Sequence, residues 1–289
     1  MFDFETSVDE VPPVGNWRSF LRQRLVGNLR DIAHIVHSDH EASAIQFGLI
    51  KSGNLSVSIK ARIAGKNAHF KVFLDGSTAA KAYVRERDLQ RHLRGTGLTP
   101  DLIAFSDRGR FLISQSVESF DWDTAVTRFD ATDVAWEIGS WQALFDHEMP
   151  AKPASGNWYG YLARVWPELP LNAVDGARDA LSGIPLCGSG IARCDAALHN
   201  FLIDGDGVLL GCDFEEAQLR PVGWDYIMTV MALIQRMPDR AGELVDAFSD
   251  GFARHHRGAL IMDELNRLAC VVACASAQIG RVQEMHHDH

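Results

Sequence analysis

Three oxygen-bearing side chains are spaced around one short predicted hairpin, and this pattern constrains the fold more than any other in the sequence. Asp195 and Asn200 lie five residues apart, and Asp213 follows within the sequence Cys-Asp-Phe-Glu. The apolar runs at 201–203 and 208–210 flank Asp-Gly-Asp-Gly, which is a strong turn signal. A hairpin at this point would bring Asp213 back beside Asn200. We therefore expect the three side chains to converge.

This set of side chains suits phosphoryl transfer. The reaction needs one carboxylate to orient and deprotonate an acceptor hydroxyl, and further oxygen atoms to hold Mg2+ against the nucleotide phosphates. Asp195 fits the first role, and Asn200 and Asp213 fit the second. An Asp and an Asn at this spacing also occur by chance in many chains. The interpretation therefore depends on finding a phosphate-binding lysine and its partner upstream.

A lysine on a predicted strand meets the first of these conditions. Residues 55–63 alternate between apolar and other side chains, which is the period of a half-buried strand. After a glycine-containing turn, residues 68–74 predict a second strand, with Phe70 and Val72 on one face and Lys71 on the other. Lys71 is thus predicted to be a cation held on a stiff element.

A glutamate on a predicted helix meets the second condition. Residues 79–93 have helical periodicity, and Glu86 shares the apolar stripe that includes Leu89. A carboxylate on that inward face needs a partner, since burying it unpaired would cost roughly several kcal/mol. Lys71 is the candidate partner. The alternative is that Glu86 belongs to a solvated charged face formed by residues 85–88.

Together these motifs resemble the aminoglycoside phosphotransferase and choline kinase superfamily, which are small-molecule kinases, and the match covers most of the chain. In that family a glycine-containing turn precedes a strand lysine, and a helix glutamate and a hinge follow. A His-Gly-Asp loop with an Asn five residues after the Asp then precedes Asp-Phe-Gly or Asp-Phe-Glu. The resemblance implies an α+β, two-lobed protein-kinase-like fold, with a small antiparallel-sheet N-lobe and a larger, mainly helical C-lobe.

The resemblance also implies roles for individual residues. Lys71 and Glu86 would bind the nucleotide, together with Gln115 and Val117 of the hinge, and residues 52–56 would form the turn that covers it. The implied phosphoryl donor is ATP or GTP, bound with Mg2+. The implied partners are this nucleotide and a small-molecule acceptor.

In the second half of the chain, the resemblance makes Asp195 the catalytic residue and makes Asn200 and Asp213 the metal ligands. Asp225, in the sequence Gly-Trp-Asp, corresponds to an aspartate that usually braces the catalytic loop. The implied activity is transfer of the ATP γ-phosphate to a hydroxyl of a small molecule. An aminoglycoside, a choline-like amine or another metabolite would be the acceptor.

The catalytic loop departs from the family pattern at three positions. Arg193 replaces the usual His, Cys194 replaces the usual Gly, and His199 stands where Gly is common. An alternative function is therefore a nucleotide-binding pseudokinase with reduced or no catalysis. A protein kinase is disfavoured, because no Ala-Pro-Glu-like sequence follows Asp213.

The order of the predicted elements suggests the domain organisation. Residues 1–40 predict an N-terminal arm and a helix, which we place at 17–36. Residues 41–118 are rich in predicted strands and would form the nucleotide-binding N-lobe. Residues 119–289 are rich in predicted helices and would form the C-lobe, which carries the catalytic and acceptor-binding residues. At 289 residues, the chain is long enough for these two lobes.

Charge and hydropathy exclude some classes of partner. The net charge of -10 argues against binding nucleic acid, whose phosphates require a basic surface. No apolar stretch reaches the length of a membrane span, and the N-terminal residues are acidic where a signal peptide is basic. We therefore expect a cytoplasmic protein with no membrane partner. The sequence leaves the oligomeric state open.

The cysteines and histidines do not indicate a metal site. The five cysteines lack the spacing of a metal-binding or disulfide framework. Cys270 and Cys274 lie in an apolar helical stretch, so we expect them to be buried thiols. His34 and His37 are one turn apart, but His40 is rotated away from them, which favours a solvated helix end over a zinc site.

Overall fold

The described residues of the chain form two compact units. A computed structural model describes residues 4–5, 46–52, 54–63, 66–258 and 260–287. The predicted helix at 17–36, the histidines at 34, 37 and 40, and Gly53 of the predicted nucleotide-covering turn lie outside these ranges. One unit comprises residues up to Glu118 together with Leu210–Glu216. The other comprises Ser119–Leu209 and the residues from Ala217 onward.

A six-stranded sheet forms the framework of the first unit. Its strands are β1 (Phe4–Glu5), β2 (Gln46–Ser52), β3 (Ser56–Ile63), β4 (Lys66–Phe73), β5 (Leu102–Ser106) and β6 (Phe111–Gln115). Their order in the sheet is β1-β2-β3-β4-β6-β5. The pairing of β1 with β2 is parallel, and the other pairings are antiparallel. The predicted hairpin of β3 and β4 is thereby confirmed.

Strand β4 lies inside the sheet and fixes the position of Lys71. The lysine pairs with Ser58 of β3 on one side and with Leu112 of β6 on the other. Backbone hydrogen bonds therefore hold this segment from both sides. Helix α1 (Ser77–His92) contacts β4 and β5, and Tyr83 of the helix joins the apolar core of the unit.

The second unit is mainly helical. Its helices are α2 (Trp122–Arg128), α3 (Ala131–Glu148), α4 (Trp158–Val165), α5 (Ala177–Ser182), α6 (Trp224–Arg236), α7 (Ala241–His255) and α8 (Met262–His287). Helical periodicity predicts helices near 132–145, 159–166, 225–235, 241–255 and 262–279, and these correspond to α3, α4, α6, α7 and α8. The short helices α2 and α5 were missed. Helix α8 is longer than predicted and continues to His287.

Short strands precede and follow the predicted catalytic segment. They are β7 (Ser119–Phe120), β8 (Ser189–Ala192), β9 (Phe201–Asp204), β10 (Leu209–Gly211) and β11 (Gln218–Pro221). Strand β8 pairs antiparallel with β11, and β7 pairs antiparallel with β9. Asp204 closes the predicted turn after β9, because its carboxylate accepts hydrogen bonds from the N–H groups of Asp206 and Val208.

The expected burial of Cys270 and Cys274 is wrong, because both side chains are exposed. The buried stripe of α8 contains Leu268, Val272 and Ala275 at helical spacing, and the two cysteines are rotated away from it. Apolar composition alone did not identify the inward face of this helix. In the described ranges, we find no helix that is both long and apolar enough to cross a membrane.

Helices α3 and α7 approach each other closely through two glycines. A Cβ atom added at Gly139 of α3 would overlap the carbonyl oxygen of Phe248, and one added at Gly251 of α7 would overlap that of Trp136. Backbone faces backbone at both places, so no side chain can rotate to make room. Side chains larger than hydrogen are therefore excluded from this helix contact.

We expect Gly139→Ala to lower the free energy of unfolding by about 2–3 kcal/mol or more, because the added methyl group must separate the two helices. Gly242→Ala is the matched control, since a Cβ atom there meets no atom within 4 Å. This change should leave stability unchanged or increase it by up to about 1 kcal/mol. Urea denaturation measures both values, and equal stabilities would contradict the close approach.

Candidate active site

In the first unit, the ammonium group of Lys71 lies among three carboxylates. Its Nζ atom is 2.7 Å from Oε2 of Glu86, 2.6 Å from Oδ1 of Asp213 and 3.0 Å from Oε2 of Glu215. All four residues belong to this unit, because the segment Leu210–Glu216 is part of it. The predicted ion pair between Lys71 and Glu86 is therefore present. The solvated alternative for Glu86 is wrong, since only 2% of its surface is exposed.

This cluster carries more negative than positive charge. Burial alone would lower the pKa of Lys71, but the three carboxylates outweigh burial and raise that pKa above its ordinary value. Lys71 therefore stays charged. Burial raises the pKa of Glu86 to about 7 despite the nearby ammonium. Burial and Lys71 also lower the pKa of His69 to about 4, so the neighbouring imidazole is neutral and adds no positive charge at pH 7.

Neighbouring side chains hold the carboxylates in place. Ser56 donates its hydroxyl to Oε2 of Glu215 at 3.0 Å, and Gln90 donates its amide to Oε1 of Glu86 at 3.1 Å. Arg85 donates to the backbone carbonyl of Glu215 at 2.7 Å. Sequence reasoning assigned no role to Glu215, although it is the last residue of the Asp-Phe-Glu motif.

The three carboxylates of this cluster are of the kind that binds divalent cations. One carboxylate oxygen from each of Glu86, Asp213 and Glu215 lies within 4.8 Å of the others. Magnesium prefers oxygen ligands of this type. Asp213 also has a φ of 61°, which is the left-handed region that non-glycine residues rarely adopt. Such backbone strain is most common at functional sites.

In the second unit, Asp195 and Asn200 are in direct contact. The amide nitrogen of Asn200 donates to Oδ2 of Asp195 at 2.8 Å, and the N–H of Ala197 donates to Oδ1 at 3.0 Å. Both oxygens of the predicted catalytic carboxylate are thus oriented. Because the amide nitrogen of Asn200 faces Asp195, the carbonyl oxygen is the atom of this side chain that suits a cation.

Asp225 holds the backbone immediately before Asp195, as predicted. Its buried carboxylate accepts the N–H of Arg193 at 2.6 Å and the N–H of Cys194 at 3.1 Å. Hydrogen bonds to a carboxylate are stronger than those between neutral groups. The predicted brace of this loop is therefore confirmed.

Arg193 stands where the family usually has a histidine, and it has a structural role that was not predicted from the sequence. Its guanidinium lies 4.3 Å from the ring centre of Phe201 and 5.1 Å from that of Trp141, and it donates to the backbone carbonyl of Asp195 at 2.8 Å. Only 3% of the residue is exposed. Arg193 thus fixes the loop by stacking and hydrogen bonding.

Cys194 has a φ of 63°, again in the left-handed region. Glycine adopts this conformation without a steric penalty, which gives a physical reason for the glycine that the family usually carries at this position. The substitution by Cys therefore changes the residue but keeps the backbone path. Burial and the nearby carboxylate of Asp225 raise the pKa of the thiol to about 11, so it is not a reactive thiolate at neutral pH.

The predicted hinge residues lie at the end of β6. Gln115 is the last residue of the strand and donates its N–H to Asp101, and Val117 lies in the irregular segment that follows. The structure thus brings Lys71, Glu86 and Asp213 together, and Asp195 and Asn200 together. These two groups belong to different units, so the convergence of Asn200 with Asp213 stays a prediction.

Solved structures of small-molecule kinases resemble this chain. A macrolide 2'-phosphotransferase from Brachybacterium faecium is 13% identical, with a TM-score of 0.52, and the match covers 91% of this chain and 95% of that one. An ethanolamine kinase from Plasmodium vivax is 13% identical, with a TM-score of 0.55 and coverage of 88% and 78%. A choline kinase from Streptococcus pneumoniae is 12% identical, with a TM-score of 0.52 and coverage of 93% and 92%.

The chain has the fold of these solved small-molecule phosphotransferases and kinases. No protein-family model matches the sequence, and a search of curated proteins found no match. At identities of 12–13%, this likeness shows the fold alone.

We expect Cys194→Gly to raise the free energy of unfolding by about 1 kcal/mol, because glycine adopts the observed φ without strain. Cys194→Ala is the matched control, since it removes the same thiol but keeps a Cβ atom. Chemical denaturation of the two variants separates the relief of backbone strain from the loss of the thiol. Equal stabilities would show that the left-handed backbone contributes no strain.

Lys71→Met should lower the free energy of unfolding by about 3–5 kcal/mol, because it leaves three partly buried carboxylates without their cation. Lys60→Met makes the same change on the exposed side of β3 and should change stability by no more than about 0.5 kcal/mol. Urea denaturation at neutral pH measures both effects. An intact stability in Lys71→Met would mean that the carboxylates do not depend on the lysine.

Proposed function

We propose that the protein is an ATP-dependent phosphotransferase that moves the γ-phosphate to a hydroxyl of a small molecule. The observation that carries the proposal is the contact of Lys71 with both Glu86 and Asp213. A cation that bridges a helix glutamate and a motif aspartate is the arrangement expected of a phosphate-binding lysine in this fold. The likeness in fold to small-molecule phosphotransferases and kinases supports the same conclusion.

Lys71 would bind the nucleotide phosphates in this proposal. Glu86 holds the lysine from α1, and the pairing of β4 with β3 and β6 holds its backbone. The ammonium is therefore oriented before any ligand arrives. Such preorganisation reduces the entropy lost when a ligand binds. Gln115 and Val117 are the proposed contacts for the nucleotide base.

Asp195 would orient the acceptor hydroxyl and accept its proton. Asn200 and Ala197 position its carboxylate, while Arg193 and Asp225 fix the backbone around it. A general base contributes to the reaction only when it is held within hydrogen-bonding reach of the proton it accepts. This network supports such a role, because it leaves the carboxylate little freedom to rotate.

Asn200 and Asp213 are the proposed ligands of Mg2+, with Glu215 near Asp213. The carboxylate oxygens of Glu86, Asp213 and Glu215 fit such an ion, since they provide a surplus of negative charge around one ammonium. When bound, Mg2+ would neutralise charge on the phosphates. The nucleotide could be ATP or GTP, and the acceptor is proposed only as a small molecule that carries a hydroxyl group.

A nucleotide-binding pseudokinase is the second candidate. The catalytic loop favours it at one point, since the buried Arg193 takes the place of the usual histidine. The same loop nevertheless keeps Asp195 and Asn200 in contact. The two candidates share nucleotide binding and differ in turnover. Binding and turnover must therefore be measured separately.

The purified protein should bind Mg-ATP. Binding to the folded state alone would raise its stability by about 2.7 kcal/mol when the free nucleotide exceeds its dissociation constant a hundredfold. Thermal denaturation and titration calorimetry with millimolar ATP, with and without Mg2+, measure this effect. The absence of a signal in both would contradict the kinase and the pseudokinase alike.

Substitution of the two aspartates should separate binding from catalysis. Asp195→Asn should keep the affinity for Mg-ATP and lower turnover by about two to four orders of magnitude, since it removes the proton acceptor. Asp213→Asn should weaken nucleotide binding and turnover together, because it removes a metal ligand.

The measurement is ADP release with a panel of hydroxylated small molecules, combined with calorimetry of Mg-ATP binding. If the parent turns over an acceptor and Asp195→Asn does so equally fast, Asp195 is not the base. If the parent binds Mg-ATP but phosphorylates no member of a broad panel, the pseudokinase is favoured.

A further inference from the structure

Helix α8 carries two thiols on its outer side. Cys270 and Cys274 are four residues apart on this helix, and both side chains are exposed. Residues at this spacing lie one above the other on an α-helix, with Cβ atoms about 5–6 Å apart. The two thiols are near enough to interact directly. They therefore form a pair, and both members are accessible to solvent.

The inner side of α8 fixes the direction in which this pair points. Leu268, Val272 and Ala275 have no exposed surface, and α8 packs against α6. Turning the helix to bury the thiols would expose these apolar side chains, at a cost of about 25 cal/mol for each Å². Packing thus sets the backbone positions of both cysteines, and only their side-chain torsions are free. The pair is preorganised for a ligand that needs two sulfur atoms.

The spacing of the pair favours a bridging metal ion over a disulfide. A disulfide needs Cβ atoms about 3.5–4.5 Å apart, which is less than the helical spacing of about 5–6 Å. Its formation would distort α8. Two metal–sulfur bonds of about 2.3 Å each, the length found for zinc, join sulfur atoms up to about 4.6 Å apart. Rotation of the two side chains then suffices, and the helix keeps its backbone hydrogen bonds.

The number and type of ligands select the ion. Thiolate sulfur is a soft ligand, which suits Cu(I) and Zn2+ better than Mg2+. Zinc in structural sites takes four protein ligands. In the part of the chain that the structure describes, three or more His, Cys, Asp or Glu ligand atoms come together only in the cluster around Lys71. Because no third side chain of these types joins the two thiols there, the ion must be one that two sulfurs satisfy. Cu(I) accepts two thiolates in a linear arrangement.

We propose that Cys270 and Cys274 bind one monovalent copper ion between them. The ion replaces the two thiol protons, which pass to the buffer, and neither sulfur nor copper changes its oxidation state. The sequence did not indicate this site, because the apolar residues around both cysteines predicted buried thiols. Both ligands belong to α8, so the site does not depend on the proposed phosphoryl transfer.

The test is a competition for Cu(I) with the full chain, in anaerobic buffer that contains ascorbate. Bicinchoninate forms a coloured complex with Cu(I), and loss of the colour measures transfer of copper to the protein. The parent should take up one tightly bound Cu(I) per chain. Cys270→Ser and Cys274→Ser should each weaken this binding by at least about a hundredfold, because a single thiolate cannot chelate the ion. Equal affinities in the parent and the two variants overturn the proposal.

Two further variants control for the number and the spacing of the thiols. Cys187→Ser removes another exposed thiol of the second unit and should bind Cu(I) like the parent. Cys274→Ser combined with Ala277→Cys keeps five cysteines but moves one to an exposed position about 10 Å along the helix from Cys270. This double variant should bind as weakly as Cys274→Ser alone. Tight binding by the double variant, or weak binding by Cys187→Ser, overturns the proposal.

A second measurement needs no substitution. One equivalent of Cu(I) should slow alkylation of Cys270 and Cys274 by iodoacetamide at least about tenfold, because the metal occupies the sulfur electrons that attack the reagent. Alkylation of Cys187 should keep its rate, and peptide mass spectrometry measures all three sites. Equal rates at the pair with and without copper overturn the assignment. So does uptake of only half an ion per chain, since two chains would then share it.

Discussion

The first unit depends on the ion pairs that the ammonium group of Lys71 makes with three carboxylates. This group brings together a strand, a helix and the segment Leu210–Glu216, which reaches this unit from far along the sequence. Without a cation, Glu86, Asp213 and Glu215 would repel one another in a partly buried place. In the proposed function, the same charge that stabilises the fold would also bind the nucleotide phosphates. Stability and ligand recognition would then depend on one group, which would limit how far either can change alone.

In the second unit, side-chain contacts with the loop backbone position the polar residues. Asp225 and Arg193 both hold one short loop. Asp225 accepts hydrogen bonds from its N–H groups, and Arg193 donates to a carbonyl of the loop and stacks on aromatic rings. The loop before Asp195 has no regular hydrogen-bonding partner strand. Side-chain contacts therefore replace the backbone ladder that fixes Lys71 in the first unit.

The positions of Lys71 and Glu86 could be predicted from residue spacing. Alternation over β3 and β4 placed Lys71 on a strand, and the apolar stripe of α1 placed Glu86 inward, so their contact was predictable. The helices α2 and α5 were missed because seven and six residues contain too few turns for a periodic signal. The contact of Glu215 with Lys71 was also missed, since it depends on how the chain returns to the sheet. The burial predicted for Cys270 failed because an apolar segment does not reveal which of its faces points inward.

The left-handed backbone at Cys194 has a consequence for how such chains are detected. A search pattern written in residue letters, with glycine fixed at this place, would pass over a protein that keeps the same torsion angle with another side chain. A pattern written in backbone torsions would include it. This position requires a left-handed backbone conformation, and glycine is favoured there because it adopts that conformation without strain.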